Sequence, residues 1–222
     1  EMVKSELALP PGKRMEVVAI VTPNALHYPF AVRLLENGFH VVCEKPMTMT
    51  VEEAEELEKL VNKTGLTFAL THTYTGYPMV RQMRELIAAG TLGTIQRIDA
   101  QYYQGWINSI IHGTESRITG VWRLDPKHAG VSSCMGDIGV HAFNLIEYTT
   151  GLEIKEILSD LSPVKDDIKL DLDGTVLLRF GKNLKGVIRA SQVCGGEENC
   201  ITIAVYGSKG SLKWGQENPN YL

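Results

Sequence analysis

Two short constellations in this 222-residue chain carry side chains suited to moving a proton. The first is Glu44-Lys45-Pro46, an acid, an amine and a φ-restricted proline placed where the apolar run Phe39-His40-Val41-Val42-Cys43 stops. In open α/β sheets ligands gather outside the carboxyl ends of the strands, so a lysine released there faces a ligand crevice. By itself the tripeptide more readily describes a solvated loop lysine, as most lysines at strand ends are. The second is Asp137, His141, Asn144 and Tyr148, spaced by four, three and four residues so that they share one helical face beside the apolar Ile138, Ala142, Leu145 and Ile146. A carboxylate one turn before a histidine can fix its tautomer and raise its basicity, leaving the other ring nitrogen for proton transfer. The same spacing also describes an exposed helix with an incidental ion pair. A metal reading exists too, because D-x-x-x-H can supply two ligands, with His128 and Cys134 as the nearest further candidates.

The surrounding pattern shows what must position these groups. Glu16 to Val21 reads as a buried strand closed by Thr22-Pro23-Asn24. Leu26, Phe30, Leu34 and Leu35 recur at helical spacing up to Asn37-Gly38, and Phe39 to Cys43 is the next strand. Thr50 with Glu53 forms a capping box for a helix that runs to Gly65, and Leu66 to Thr71 is a third strand. Strands alternating with helices over short turns demand right-handed crossovers and a parallel sheet. After Tyr74 the pattern changes. A helix from Pro78 to Ala89 and a strand from Ile95 to Tyr103 precede a long aperiodic stretch, Gly105 to Gly136, which reads as an extended loop. A helix over about Asp137 to Thr150 follows. Glu153 to Leu158, Asp173 to Phe180, Leu184 to Gln192 and Cys200 to Tyr206 then read as an antiparallel meander. The expected fold is α/β, a partial Rossmann parallel sheet over residues 1–72 followed by an α+β domain over 73–222 with a large, mostly antiparallel sheet.

Composition narrows the function classes. With 44% hydrophobic and 22% charged residues the chain has the make-up of a globular domain, and no apolar run approaches the roughly 20 residues that span a bilayer. The first ten residues lack the pattern of a signal peptide, which makes a cytoplasmic setting the expectation. A net charge of −4 without a basic block argues against nucleic acid and anionic membranes as partners and for small molecules. Cys43, Cys134, Cys194 and Cys200 lack close pairing and are expected to be reduced thiols.

Three segments together resemble the Gfo/Idh/MocA family of NAD(P)-dependent oxidoreductases. They are Ala19-Ile20-Val21-Thr22-Pro23-Asn24 with His27, then Gly38 through Pro46, and Gly136-Asp137-Ile138-Gly139-Val140-His141. The resemblance implies NAD or NADP as cofactor and a sugar or polyol hydroxyl as hydride source. It implies that Lys45 lies beside the nicotinamide and the substrate hydroxyl, that His141 removes the hydroxyl proton and that Asp137 is its acidic partner, also touching substrate. Thr22, Pro23, Asn24 and His27 match the turn along the cofactor, and Glu44, Lys45 and Pro46 the segment at its nicotinamide end. A cis Lys45-Pro46 bond is implied as well. Tyr74, Trp122 and Arg123 resemble substrate-side residues, although Trp122 is equally compatible with a core position. Assembly of identical copies through the antiparallel sheet follows from the same likeness, and no metal site is expected.

The likeness has a gap. The G-x-G-x-x-G turn that places a pyrophosphate on a helix N-terminus is not found before Val17, where the residues read as the end of a helix and a loop. The expectation is an internal fragment of a longer enzyme, inactive alone, whose choice between NAD and NADP is set outside it. A non-catalytic nucleotide- or sugar-sensing relative is the alternative, and a metal-dependent hydrolase a more distant one.

Overall fold

The computed structural model describes residues 1–10, 12–113 and 121–222. In chain order it contains α1 (Met2–Leu7), β1 (Val17–Ile20), α2 (His27–Glu36), β2 (His40–Cys43), α3 (Val51–Thr64) and β3 (Phe68–Leu70). Then come α4 (Pro78–Ala88), β4 (Ile95–Tyr103), α5 (Trp106–Ile111), α6 (Pro126–Ala129) and α7 (Val140–Thr150). Five strands close the chain: β5 (Glu156–Ser162), β6 (Asp173–Arg179), β7 (Lys185–Ser191), β8 (Cys200–Gly207) and β9 (Ser211–Gly215). The chain divides into two compact units, Glu1–Thr71 with Asp125–Val131, and His72–Leu124 with Ser132–Leu222.

In the first unit β1, β2 and β3 lie side by side and parallel, with Val17 opposite His40 and Val41 opposite Phe68. Phe39, Leu35 and Leu57 are fully buried between the sheet and helices α2 and α3. Removing each of these side chains from water contributes about 1.5–3 kcal/mol. The capping box holds α3: Thr50 Oγ1 accepts from the Glu53 amide at 3.2 Å, and Glu53 Oε2 accepts from the Met49 amide at 2.9 Å. Gly65 ends the helix at φ 66°, a left-handed conformation that a side chain would oppose. Two expectations need correction. Leu34 and Leu35 are buried as expected, but Leu26 and Phe30 are exposed, and α2 buries His27 and Ala31 in their place. The inward face is set by the His27 ring, which finds backbone partners inside, and not by the two apolar side chains. Val17 and Val21 are also exposed, because β1 is an edge strand among the described residues. The segment 125–131 was expected in the second domain but packs with the first unit, where the Asn24 amide donates to Ala129 O at 2.9 Å.

The second unit is a six-stranded sheet in the order β5-β6-β7-β4-β8-β9, antiparallel except for the β4/β7 pair. Helices α4 and α7 cover the face formed by Ile98, Ile188, Ile203 and Trp214, and contribute Met83, Leu145 and Ile146 to one continuous core. The sheet is mostly antiparallel as expected, but it is not a simple meander, because β4 enters its centre between β7 and β8. The first strand after α7 starts at Glu156, not Glu153, and β9 was not foreseen. The stretch from Gly105 to Gly136 is no plain loop: α5, a 3-10 turn at Val121–Leu124 and α6 lie in it, and residues 114–120 fall outside the described part.

Candidate active site

Each unit carries its own group of candidate residues. In the first, the turn after β1 and the turn after β2 are tied by one histidine. His27, buried at 1% exposure, places Nδ1 2.7 Å from Pro46 O and Nε2 2.9 Å from Thr22 O. A neutral ring can donate to one of these carbonyls and a protonated ring to both. The Lys45-Pro46 bond is cis and Lys45 is half-buried. Thr22, Pro23, Asn24, His27, Glu44, Lys45 and Pro46 thus gather just past the carboxyl ends of two adjacent parallel strands, where such sheets bind ligands. The hydroxyls of Thr22 and Thr71, just past β1 and β3, are buried without a hydrogen-bond partner among the described residues. A dinucleotide that brings polar groups to this edge fits these orphaned hydroxyls.

In the second unit, Asp137 stands in a π-helical turn, Met135–Gly139, that leads into α7. The expected straight α-helix from Asp137 is therefore corrected, because a π turn carries more residues per turn and rotates Asp137 relative to His141. The turn is anchored by Asp171, whose Oδ1 accepts from the Ser133 amide at 3.0 Å and Oδ2 from the Met135 amide at 2.8 Å. Asp137 Oδ2 accepts from Arg123 Nε at 2.9 Å and from Gln192 Nε2 at 3.0 Å. Both donors stabilise the ionised carboxylate. The Arg123 guanidinium also lies 4.4 Å from the Trp122 ring centroid and 5.8 Å from that of Trp106. Trp122 is half-buried beside this cation and does not belong to the core.

His141, 8% exposed, is ringed by aromatic groups: Tyr74 edge-on at 4.8 Å, Tyr102 at 6.0 Å and His72 at 6.2 Å between centroids. Tyr74 and Tyr102 share a hydrogen bond of 2.5 Å, and Tyr102 donates to Asn199 Oδ1 at 3.0 Å. Gln104 donates to the same oxygen at 2.7 Å and accepts from the Trp106 indole at 2.9 Å. Burial pushes both phenols above their ordinary range, so they remain neutral hydrogen-bonding groups. Tyr148, expected on the same polar face, instead lies under Arg84 on α4, 4.7 Å from its guanidinium. Tyr102, Gln104, Trp106, Gln192 and Asn199 were not foreseen. Tyr102, Gln104 and Trp106 do lie at or just past the carboxyl end of β4, a placement that could have flagged them.

His128 pairs with Asp125 at 2.7 Å, and no group of three or more His, Cys, Asp or Glu among the described residues is arranged to hold a metal ion. The D-x-x-x-H pair thus gains no third ligand there.

Comparison with known proteins defines the class. Residues 1–72 match the oxidoreductase family with an NAD-binding Rossmann fold, and residues 80–213 match the GFO/IDH/MocA C-terminal domain. The chain belongs to the Gfo/Idh/MocA family of oxidoreductases. Among its relatives is the uncharacterized oxidoreductase YfiI of Bacillus subtilis (strain 168), 34% identical over 210 residues, 94% of this chain and 53% of the relative. Levoglucosan dehydrogenase of Pseudarthrobacter phenanthrenivorans is 26% identical, over 94% of this chain and 57% of its own length. A crystal structure of an inositol dehydrogenase homolog from Azotobacter vinelandii, complexed with NAD+, superposes with a TM-score of 0.92 at 33% identity, covering 98% of this chain and 56% of that one. The chain spans about half the length of the curated relatives it matches.

Proposed function

We propose that the protein is an NAD- or NADP-dependent oxidoreductase that takes hydride from a sugar or polyol hydroxyl. The observation that carries this reading is the Asp137 carboxylate, fixed by Arg123 and Gln192 in the turn that leads to an aromatic-walled His141. Family membership supports it, as do a levoglucosan dehydrogenase and an NAD+-bound inositol dehydrogenase homolog among the similar proteins. The cofactor would be held by Thr22, Pro23, Asn24, His27, Glu44, Lys45 and Pro46, and when bound it supplies the hydride acceptor. His141 takes the hydroxyl proton while the carbon–hydrogen bond gives up hydride, so the alcohol becomes a carbonyl. Asp137 keeps His141 basic, and the Lys45 ammonium lowers the cost of negative charge developing on the substrate oxygen. Arg123 offers a planar set of donors, and Tyr74 and Trp122 offer flat apolar faces of the kind that suit a polyhydroxylated ring.

The test is turnover of the full-length protein against a sugar and polyol panel with both nicotinamide cofactors. Lys45→Ala and His141→Ala should each lower kcat by about 10²- to 10⁴-fold. Cofactor or sugar binding without turnover in the unmodified protein would support the sensing alternative and defeat the catalytic one.

We also propose that two copies pair through the outward face of the large sheet. Leu158 and Leu177 lie opposite each other there on the adjacent strands β5 and β6, exposed at 69% and 52%. Leu158→Asp with Leu177→Asp should halve the mass measured by light scattering, and an unchanged mass would remove this face as the contact.

A further inference from the structure

We propose that Gln192 is a positioning residue that holds Asp137 ionised and in one orientation. The inference rests on the reading of Asp137 as part of the hydride-transfer site. Gln192 follows β7 and is 0% exposed, with its backbone amide bonded to Leu172 O at 2.9 Å. Its side chain joins two groups: Oε1 accepts from Ser133 Oγ at 3.1 Å, and Nε2 donates to Asp137 Oδ2 at 3.0 Å. Ser133 is itself fixed, because its amide donates to the buried Asp171. Gln192, 55 residues away in sequence, therefore joins Ser133 to the Asp137 carboxylate.

The acceptor decides which way the amide points. A carboxylate oxygen that already accepts from Arg123 needs a second donor, and the amide oxygen turned toward it would set lone pairs against lone pairs. With Nε2 inward, the remaining Oε1 requires a donor, which the Ser133 hydroxyl supplies. A buried polar side chain with both ends satisfied has one low-energy orientation and passes it to its partner. The charged groups around Asp137 explain why a neutral donor suits this place. Arg123 is the cation on it, His141 and Cys134 lie on its own helical segment, and the Asp171 carboxylate holds the amides of Ser133 and Met135 in the same turn. The Tyr74 and Tyr102 phenols also feel its charge. A second carboxylate at position 192 would add repulsion to an already acidic surrounding.

The experiment compares Gln192→Glu, Gln192→Met and Asp137→Asn in the full-length protein, with kcat and KM followed across pH and thermal unfolding recorded alongside. Glutamate is nearly isosteric. While the pair shares a proton, its O–H still donates to Asp137; once that proton is lost, two carboxylates stand in contact. The activity of Gln192→Glu relative to the unmodified protein should fall about tenfold between roughly pH 6 and 9. Gln192→Met removes both bonds and should lower kcat by roughly tenfold to a hundredfold with KM nearly unchanged. A pH-independent ratio for Gln192→Glu, with Asp137→Asn inactive, would overturn the role of Gln192 and leave the site intact. Full turnover of Asp137→Asn would instead remove the site reading itself. If Gln192→Met does not fold, the Gln192→Glu profile decides, and failure of that isosteric variant to fold at low pH also counts against the proposal.

Discussion

The turn that carries Lys45 and the turn that carries Asp137 are held in place by different chemistry. The first is bound through the main chain: one histidine ring touches two carbonyl oxygens, those of Thr22 and Pro46, all within 25 residues of sequence. The second is bound through side chains, with Arg123, Asp171 and Gln192 arriving from three separate segments. A main-chain anchor depends on a short stretch of sequence. A side-chain anchor depends on a buried polar network in which every member must be satisfied, and the loss of one strands its neighbours.

That difference predicts the largest structural effect for Asp171→Ala. Two amides, of Ser133 and Met135, would lose their acceptor where water does not replace it. The expected cost is about 3–5 kcal/mol, the sum of two stranded donors. Because a chain of two units need not unfold in one step, the measurement is unit-resolved hydrogen exchange, with protection lost in the second unit and retained in the first. Equal loss in both units would break the contrast. His27→Leu should act in the opposite unit and less severely, by about 1–3 kcal/mol, since Thr22 O and Pro46 O each keep a second lone pair for other donors. It should weaken nicotinamide cofactor binding, and a titration with NAD and NADP checks this. Tyr102→Phe comes next, at about 1 kcal/mol, because Asn199 Oδ1 still accepts from Gln104 after the phenol is removed.

The same contrast explains what could be read from the sequence. The strands around Val18, Val41 and Ala69, the Thr50 cap and the Gly65 stop are written in neighbouring residues, and the Glu44-Lys45-Pro46 turn is contiguous, so all were legible. Helix α2 was misread because Leu26 and Phe30 outweigh His27 on any apolarity scale, yet the histidine is the one with two partners inside. The π turn at Met135–Gly139 was invisible for a different reason, since its anchor is 36 residues away at Asp171. Gln192, Gln104 and Asn199 stand in no local pattern that marks them. Only the register of β7, β4 and β8 brings them to one end of the sheet.

The smallest effect sharpens the comparison through the thiols. Cys43 ends β2 beside Glu44, fully buried, and burial followed by the neighbouring carboxylate pushes its thiol up to about 12 from the ordinary 9.0. Cys194 is half-buried at the end of the large sheet. A thiol reagent near pH 8 should therefore label Cys194 rapidly and Cys43 only as fast as the first unit opens, because the thiolate is the reactive form. The sign for stability follows from the raised value. The contribution of Cys43 is fully present below about pH 9 and is lost as pH rises through about 12, since the unfolded chain ionises first. Alkaline titration of the hydrogen exchange should then loosen the first unit, and Cys43→Ser or Cys43→Ala should flatten that dependence. Prompt labelling of Cys43 in the folded protein would show that the end of β2, and with it the Lys45 turn, opens far more readily than its main-chain anchor allows.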